Sequence, residues 1–430
     1  MSYNLDFKKA SFLIYGLGSS GISVVKYFKK KKIKNFYVWD DSLKLRRKFY
    51  LNKINNLKTI LNKVDFIVLS PGVSLKTTKY KKDLVKHRKK IITDIDLLYL
   101  RSPKIKSIVV TGSNGKSTTC KIITHLLKKN KFQVALGGNI GNPVLNIQQN
   151  KKNFFVIEAS SFQLSHSKFI HPNYAILLNI TNDHLDWHGS KRNYINSKFK
   201  IFKLQEKDDF ALTEKKFQQT YRKKKYLGKL ILPNIDKYIK IKSQIQNDYL
   251  TSSINDENMS LVFALSKLLK INKKSFITNM GSFSGLPHRY EIFLKRKNVT
   301  FINDSKATNL EAAKFALLNS KNIYWIVGGL PKNKDRIVLN DLKKKIIKSY
   351  IIGKNINFFK KLLNHKVKFV APGNLKKAII CILKDIALLK KRNNTILFSP
   401  GAASFDQFKN FEIRGNLFKR LSRMYAKKFI

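Results

Sequence analysis

Short apolar runs recur along this chain, each closed by glycine, serine, asparagine or an acid. Longer stretches follow in which apolar residues return every three or four positions. That succession predicts strand, turn and amphipathic helix over and over, the pattern of α/β sheets with parallel strands. Ser11–Tyr15, Phe36–Trp39 and Val64–Leu69 read as strands of a first sheet, with a helix over Ile22–Lys32. Ile108–Thr111, Phe154–Ile157 and Tyr174–Leu178 read as a second set. Thr300–Asn303, Ile323–Val327, Tyr350–Ile352, Lys368–Val370 and Ile396–Phe398 read as a third. From Lys203 to Asp248 the sequence is lysine-rich with weak periodicity and predicts no element. A chain of 430 residues has room for about three domains. The expected architecture is therefore α/β in three domains: a Rossmann-like sheet over 1–96, a central P-loop ATPase-type domain over 97–284, and a second Rossmann-like sheet over 285–430.

The turns after these strands carry the chemistry. Ile108-Val-Val-Thr runs into Gly112-Ser-Asn-Gly-Lys-Ser117 and then helix-like sequence that includes Thr118. Glycines at 112 and 115 free backbone N–H groups to wrap a polyphosphate, and the helix start adds partial positive charge. Lys116 can reach the outer phosphates and the Ser117 hydroxyl can hold Mg²⁺. The spacing is G-x-x-G-K-S, with Val110 where the longer P-loop pattern has its first glycine. Gly16-Leu-Gly-Ser-Ser-Gly21, with Asp40 and Asp41 after the next strand, has the layout of a dinucleotide-binding fingerprint. Taken alone it would also suit a nicotinamide-dependent dehydrogenase.

Glu158-Ala-Ser-Ser-Phe-Gln163 and Asn179-Ile-Thr-Asn-Asp-His-Leu-Asp186 each follow a strand. With Ser117 they could offer oxygen and imidazole ligands to Mg²⁺. Further on, Gly285-Leu-Pro-His-Arg289 presents an arginine that can clamp a phosphate bidentately. Asn303-Asp-Ser-Lys-Ala-Thr-Asn309, Gly328-Gly-Leu-Pro-Lys332 and Ser399–Phe408 close three strands of one sheet, so their polar turns should share one rim.

Composition changes the picture little. Lys plus Arg number 86 against 26 Asp plus Glu, a formal charge of +60, which on its face suits nucleic acid or an anionic membrane. The lysines are spread over the whole chain and travel with Ile, Asn, Phe and Tyr, all encoded by AT-rich codons, so base bias explains them without a nucleic-acid partner. Two distant cysteines imply neither disulfide nor zinc site. No membrane span or signal peptide is visible, and a monomer in the cytoplasm is expected.

Read in order, the Gly16 turn, Ser70-Pro-Gly72, Thr111–Ser117, Gly138-Asn-Ile-Gly141, Glu158–Gln163, Asn179–Asp186, Leu286-Pro-His-Arg289, Asn303–Asn309 and Ser399–Phe408 resemble the Mur ligase family over nearly the whole chain. The Asn-Asp-Ser-Lys-Ala-Thr-Asn string and the Ser-Phe-Asp-Gln-Phe run resemble its D-glutamate-adding members. The resemblance implies a cytoplasmic, ATP-driven ligase of peptidoglycan precursor synthesis that joins D-glutamate to UDP-N-acetylmuramoyl-L-alanine through an acyl phosphate. A neighbouring ligase, adding another amino acid or extending folate, is the alternative. By resemblance, Gly112, Ser113, Asn114, Gly115, Lys116, Ser117 and Thr118 hold ATP together with Arg289 and Asp304. Ser117, Glu158, His184 and Lys198 serve the metal, two Mg²⁺ ions, with Lys198 matching a lysine that the family carbamylates. Lys116, His184, Lys198, His288, Asp304 and Lys306 make the catalytic set. Gly18, Ser19, Ser20, Asp41, Ser70, Gly72, Asn139, Ser160 and His184 would contact the UDP-substrate, and Thr308, Lys332, Ser404 and Phe411 the D-glutamate.

Overall fold

The structure is a computed structural model that describes residues 6–47, 49, 54, 56–75, 77–147, 154–181, 184–247, 249–331, 339, 342–389 and 393–430. Among these the strands form three sheets, of four, six and six strands. The chain divides into two compact units, 1–283 and 284–430.

In the first unit, β1 (Phe12–Tyr15), β2 (Phe36–Trp39), β3 (Phe66–Leu69) and β4 (Ile91–Ile92) make a parallel sheet in the order β2-β1-β3-β4. Every residue of β1 is buried, as expected for a strand covered on both faces. Phe28 of the Ser19–Lys30 helix packs on Phe12 at 4.9 Å and on Phe36 at 5.4 Å between ring centroids, which seats that helix on the sheet. The seat is tight. A Cβ at Gly21 would lie 1.8 Å from the carbonyl oxygen of Gly16. Gly21→Ala should therefore lower stability by about 1–3 kcal/mol, read as a reduced urea midpoint at constant m.

The second sheet collects β5 (Lys106–Thr111), β6 (Val134–Gly138), β7 (Phe154–Glu158), β8 (Tyr174–Leu177), β9 (Phe210–Thr213) and β10 (Lys229–Ile231) in the order β10-β9-β8-β5-β7-β6, all parallel. β9 and β10 fall in the lysine-rich stretch where the sequence predicts nothing. Only three or four residues long, they offer no run of alternation to read.

The helix Asp94–Arg101 crosses the expected boundary at residue 96. Its residues from Asp94 to Leu100 are all buried, and Thr93 and Asp96 cap it reciprocally. Asp96 Oδ1 accepts the backbone N–H groups of Lys168 and Phe169 at 2.9 and 2.8 Å, so the first sheet's exit helix is fastened to the second sheet's layer. One apolar core runs from Phe12 through Leu98 to Phe155 and Tyr221.

The second unit holds β11 (Glu291–Arg296), β12 (Val299–Asn303), β13 (Ile323–Gly328), β14 (Ile346–Ile352), β15 (Phe369–Gly373) and β16 (Asn394–Phe398) in the order β11-β12-β16-β13-β14-β15. β11 is antiparallel to β12 and the rest pair in parallel. β11 escapes the sequence reading because it is an edge strand with no fully buried residue, and charged residues at both ends leave only three apolar positions between them. Trp325 lies fully buried and donates its indole N–H to the Ser399 carbonyl at 2.8 Å, tying β13 to the turn after β16.

Candidate active site

The phosphate cradle forms where β5 hands over to the Lys116–Lys129 helix. Gly115 takes a left-handed φ of +81° as that helix's N-cap, which a side chain would resist. A Cβ at Gly112 would come within 2.9 Å of Leu178 Cβ, so the loop lies flat against the end of β8. Asn179 clamps it there: its carbonyl accepts from Ser113 N at 2.8 Å and its Oδ1 from Asn114 N at 2.9 Å. Ser113 Oγ accepts from Thr181 N at 2.9 Å and pairs with the Tyr194 hydroxyl at 2.8 Å. Ser117 and Thr118 open the helix behind it.

Two lysines meet on one carbonyl. Lys116 Nζ donates to Gly112 O and Ser113 O, both at 2.8 Å, and Lys198 Nζ donates to Gly112 O at 2.7 Å. Lys198 is only 1% exposed and its ammonium sits 4.5 Å from the Tyr194 ring. The same ring lies 6.4 Å from His184, whose imidazole packs on Phe162 at 4.7 Å. The structure thus gathers Ser113, His184 and Lys198 around Tyr194, and Lys116 shares the Gly112 carbonyl with Lys198. Asn182 and Asp183, in the same motif as His184, lie outside the described residues.

Glu158 closes β7, whose register sets it opposite Val110 on one side and Gly138 on the other, beside the cradle. It is 1% exposed. Asn139 Nδ2 donates to its Oε1 at 2.9 Å, while Oε2 is buried without a hydrogen-bond partner. An orphaned carboxylate oxygen in that position fits a cation. Among the described residues no three His, Cys, Asp or Glu side chains cluster as a metal cage.

The first sheet's glycine turn is pinned from inside. Ser70 Oγ donates to Gly16 O at 2.6 Å, and Asp40 Oδ2 accepts from Leu17 N at 2.7 Å. Asp40 therefore braces the turn. Asp41 accepts from Tyr15 Oη at 2.7 Å and from Thr78 Oγ1 at 3.0 Å. Gly18 caps the helix that begins Ser19-Ser20, and the space around Gly18 and Gly72 is open. Ser160 caps the Ser161–His166 helix and is buried.

A cavity of about 330 Å³, unforeseen from the sequence, lies between Ser74–Leu75 and the helices Ser161–His166 and Lys191–Phe199. Its lining includes His166, Trp187, Asn196 and Lys200. Burial, with the nearby Lys200 charge, lowers the His166 pKa to about 4, and burial lowers Lys200 to about 8. His166 Nε2 and Trp187 Nε1 are buried there with no hydrogen-bond partner. These residues face one way only once the helices are packed, and no spacing in the sequence announces it.

In the second unit the turns after β12, β13 and β16 meet as expected. Asp304 N donates to Phe398 O at 2.7 Å, and Leu330 and Ala403 exchange both backbone bonds at 2.9 Å. Lys332 lies outside the described residues. Asp304 Oδ2 accepts from Ser399 Oγ at 2.6 Å and Oδ1 from Tyr290 N at 3.1 Å. His288 is buried beside Asn303 Nδ2 at 2.9 Å, and burial lowers its pKa. His288 and Tyr290 both hold positive φ, 63° and 47°, so Arg289 sits in a strained turn. Lys306 Nζ lies 3.9 Å from the Phe411 ring, Thr308 follows in the same turn, and Ser404 is buried in the turn after β16.

Burial raises the Asp304 pKa to about 7. The folded state then binds a proton more tightly than the unfolded chain, so this group's contribution is complete below the unfolded value of 3.8 and is lost as pH rises through about 7. Asp304→Asn should accordingly flatten the loss of stability between about pH 4 and 7, measured by chemical denaturation across that range.

Residues 110–284 match the Mur ligase middle domain, and residues 10–92 match the N-terminal domain of the MurD-like Mur ligases. The chain belongs to the Mur ligase family. It is 35% identical to the UDP-N-acetylmuramoylalanine–D-glutamate ligase of Rickettsia prowazekii, over 97% of this chain and 99% of that one. With the ligase of the same name from Buchnera aphidicola subsp. Schizaphis graminum it shares 37% identity over 98% and 99%. Its fold is similar to that of the MurF ligase of Thermotoga maritima in complex with ADP, with a TM-score of 0.58, 16% identity and 99% of both chains covered. These relatives place the chain in the D-glutamate-adding branch of its family.

Proposed function

We infer that this chain is an ATP-dependent amide ligase that adds D-glutamate to UDP-N-acetylmuramoyl-L-alanine, a step of peptidoglycan precursor synthesis. The observation that carries the reading is the flat Gly112–Ser117 cradle with two lysines on its Gly112 carbonyl and the half-partnered Glu158 carboxylate on the neighbouring strand. Such a site suits the phosphates of a nucleoside triphosphate with a cation beside them.

In this reading the alanyl carboxylate of the UDP-substrate attacks the γ-phosphoryl group, forming a carboxyl O–P bond as the bond to ADP breaks. The amine of D-glutamate then attacks the acyl carbon. A tetrahedral intermediate forms, the amine loses a proton, and the C–O bond to phosphate breaks, releasing inorganic phosphate. Lys116 leaves its two loop carbonyls for the phosphates and stabilises the charge spread over them in transfer. The segments 1–96, 97–284 and 285–430 divide the work: UDP-substrate on the first, ATP on the second, D-glutamate on the third. Gly18, Ser19, Ser20, Asp41, Ser70, Gly72, Asn139 and Ser160 serve the first ligand, with His184 nearest the reacting carboxylate. Arg289 and Asp304 complete the ATP set, His288 and Lys306 line the acyl phosphate, and Thr308, Lys332, Ser404 and Phe411 take D-glutamate.

Ser117, Glu158, His184 and Lys198 would hold Mg²⁺, two ions in all, which neutralises phosphate charge when bound. Carbamylation of Lys198 fits its surroundings: two ammonium groups on one carbonyl repel, and turning one into a carboxylate relieves the pair. The enzyme works as a monomer in the cytoplasm. Among the described residues no helix is long and apolar enough to cross a membrane.

The test is release of ADP from ATP with UDP-N-acetylmuramoyl-L-alanine present and the amino acid varied. Turnover with D-glutamate and at least about a hundredfold less with L-glutamate or L-lysine is the expected outcome. Equal rates with every amino acid, or with none, would remove the assignment.

A further inference from the structure

The cap of the Ser161–His166 helix is more than a cap. Ser160 N and Ser160 Oγ both donate to Gln163 Oε1, at 3.1 and 3.0 Å, and Ser160 Oγ accepts from Gln163 N at 3.2 Å. The hydroxyl proton and one of its two lone pairs are thereby committed, which leaves Ser160 a single open lone pair. It can accept a hydrogen bond from a ligand and cannot give one. This arrangement depends on which way the Gln163 amide faces. Turned over, Nε2 would confront the Ser160 N–H and hydroxyl, donor against donor, and the hydroxyl proton would be released to point elsewhere.

What holds the amide is Asp94, on another element. Gln163 Nε2 donates to Asp94 Oδ1 at 3.1 Å. Asp94 is the first residue of the Asp94–Arg101 helix and is 2% exposed. Its Oδ1 also accepts from Ile95 N at 3.1 Å, which keeps that oxygen facing Gln163. A turned amide would set its carbonyl oxygen against this carboxyl and break the box at the same time. Burial raises the Asp94 pKa, and the neutral acid keeps Oδ1 as an acceptor.

We propose that Asp94 is a positioning residue which, through Gln163, keeps Ser160 as a hydrogen-bond acceptor for a donor group of the nucleotide-sugar substrate, a sugar hydroxyl or an amide N–H. The proposal rests on the reading of Ser160 as a substrate contact. It excludes a phosphate oxygen as the Ser160 partner, because that would need a donor.

The experiment is a double-mutant cycle of Asp94→Ala and Ser160→Ala, with KM for UDP-N-acetylmuramoyl-L-alanine, KM for ATP and kcat measured for each variant. Each single variant should raise the sugar-nucleotide KM about tenfold while leaving the ATP KM and kcat within about threefold, and the double variant should be no worse than Ser160→Ala alone. Asp94→Asn, which still offers an acceptor oxygen, should stay within about twofold of the parent. If Asp94→Ala is not recovered folded, Asp94→Thr, whose hydroxyl stops short of Gln163, takes its place in the cycle. Additive effects in the double variant would overturn the proposal, as would an Asp94→Asn variant as impaired as Asp94→Ala. An unimpaired Ser160→Ala would instead show that Ser160 touches no substrate, and the proposal would fall with that reading.

Discussion

Lys198→Ala should fold and yet lose about a thousandfold or more in kcat. Lys198 is buried against Tyr194 and donates to the cradle's Gly112 carbonyl, which Lys116 also serves, so its removal does not orphan that oxygen. The stability lost is that of a small cavity and one hydrogen bond, about 1–3 kcal/mol. The activity lost should be larger because, in the proposed reaction, the end of this side chain serves the metal that neutralises the transferred phosphoryl group. If the working form is the carbamate, exhaustive removal of carbon dioxide and bicarbonate should slow the parent enzyme, with recovery on re-addition, and leave the alanine variant's residual rate unchanged. An alanine variant with ordinary turnover would show that this lysine only packs.

Lys116→Ala should reduce kcat/KM for ATP by about a thousandfold, with a much smaller effect on ADP affinity. In the structure its ammonium is held by the carbonyls of Gly112 and Ser113, four and three residues back along its own loop. Those two oxygens keep the cation within reach of an arriving triphosphate. Lys116→Arg should not rescue, since a planar guanidinium cannot occupy the space of a compact ammonium between two carbonyls. Titration of the variant with ADP and with a non-hydrolysable ATP analogue separates the two effects. Equal weakening of both would mean that Lys116 serves the inner phosphates instead.

Much of this site could be read from the residues before any coordinates. The cradle was legible because glycine, lysine and serine at fixed spacing after an apolar strand have few other uses, and Glu158, Asn179 and Asp304 were legible as polar residues closing buried strands. What could not be read was side-chain direction. Asp40 has the place of a ribose-binding acid, yet its carboxylate braces the glycine turn through Leu17 N. Asp94 sits at an expected domain edge, yet it is buried and reaches Gln163 across 69 positions of sequence. The edge strands β10 and β11 were missed for the opposite reason: strands half in water carry a weak hydrophobic signal. His166 and Trp187 are brought to one cavity by helix packing alone.

The central claim is that the carboxylate of the UDP-substrate is activated by phosphoryl transfer before the amine attacks. It is tested most directly by labelling both oxygens of that alanyl carboxylate with ¹⁸O and analysing the products of one turnover with ATP and D-glutamate. One labelled oxygen should appear in the inorganic phosphate and the other in the new amide. Phosphate free of the label would contradict the account.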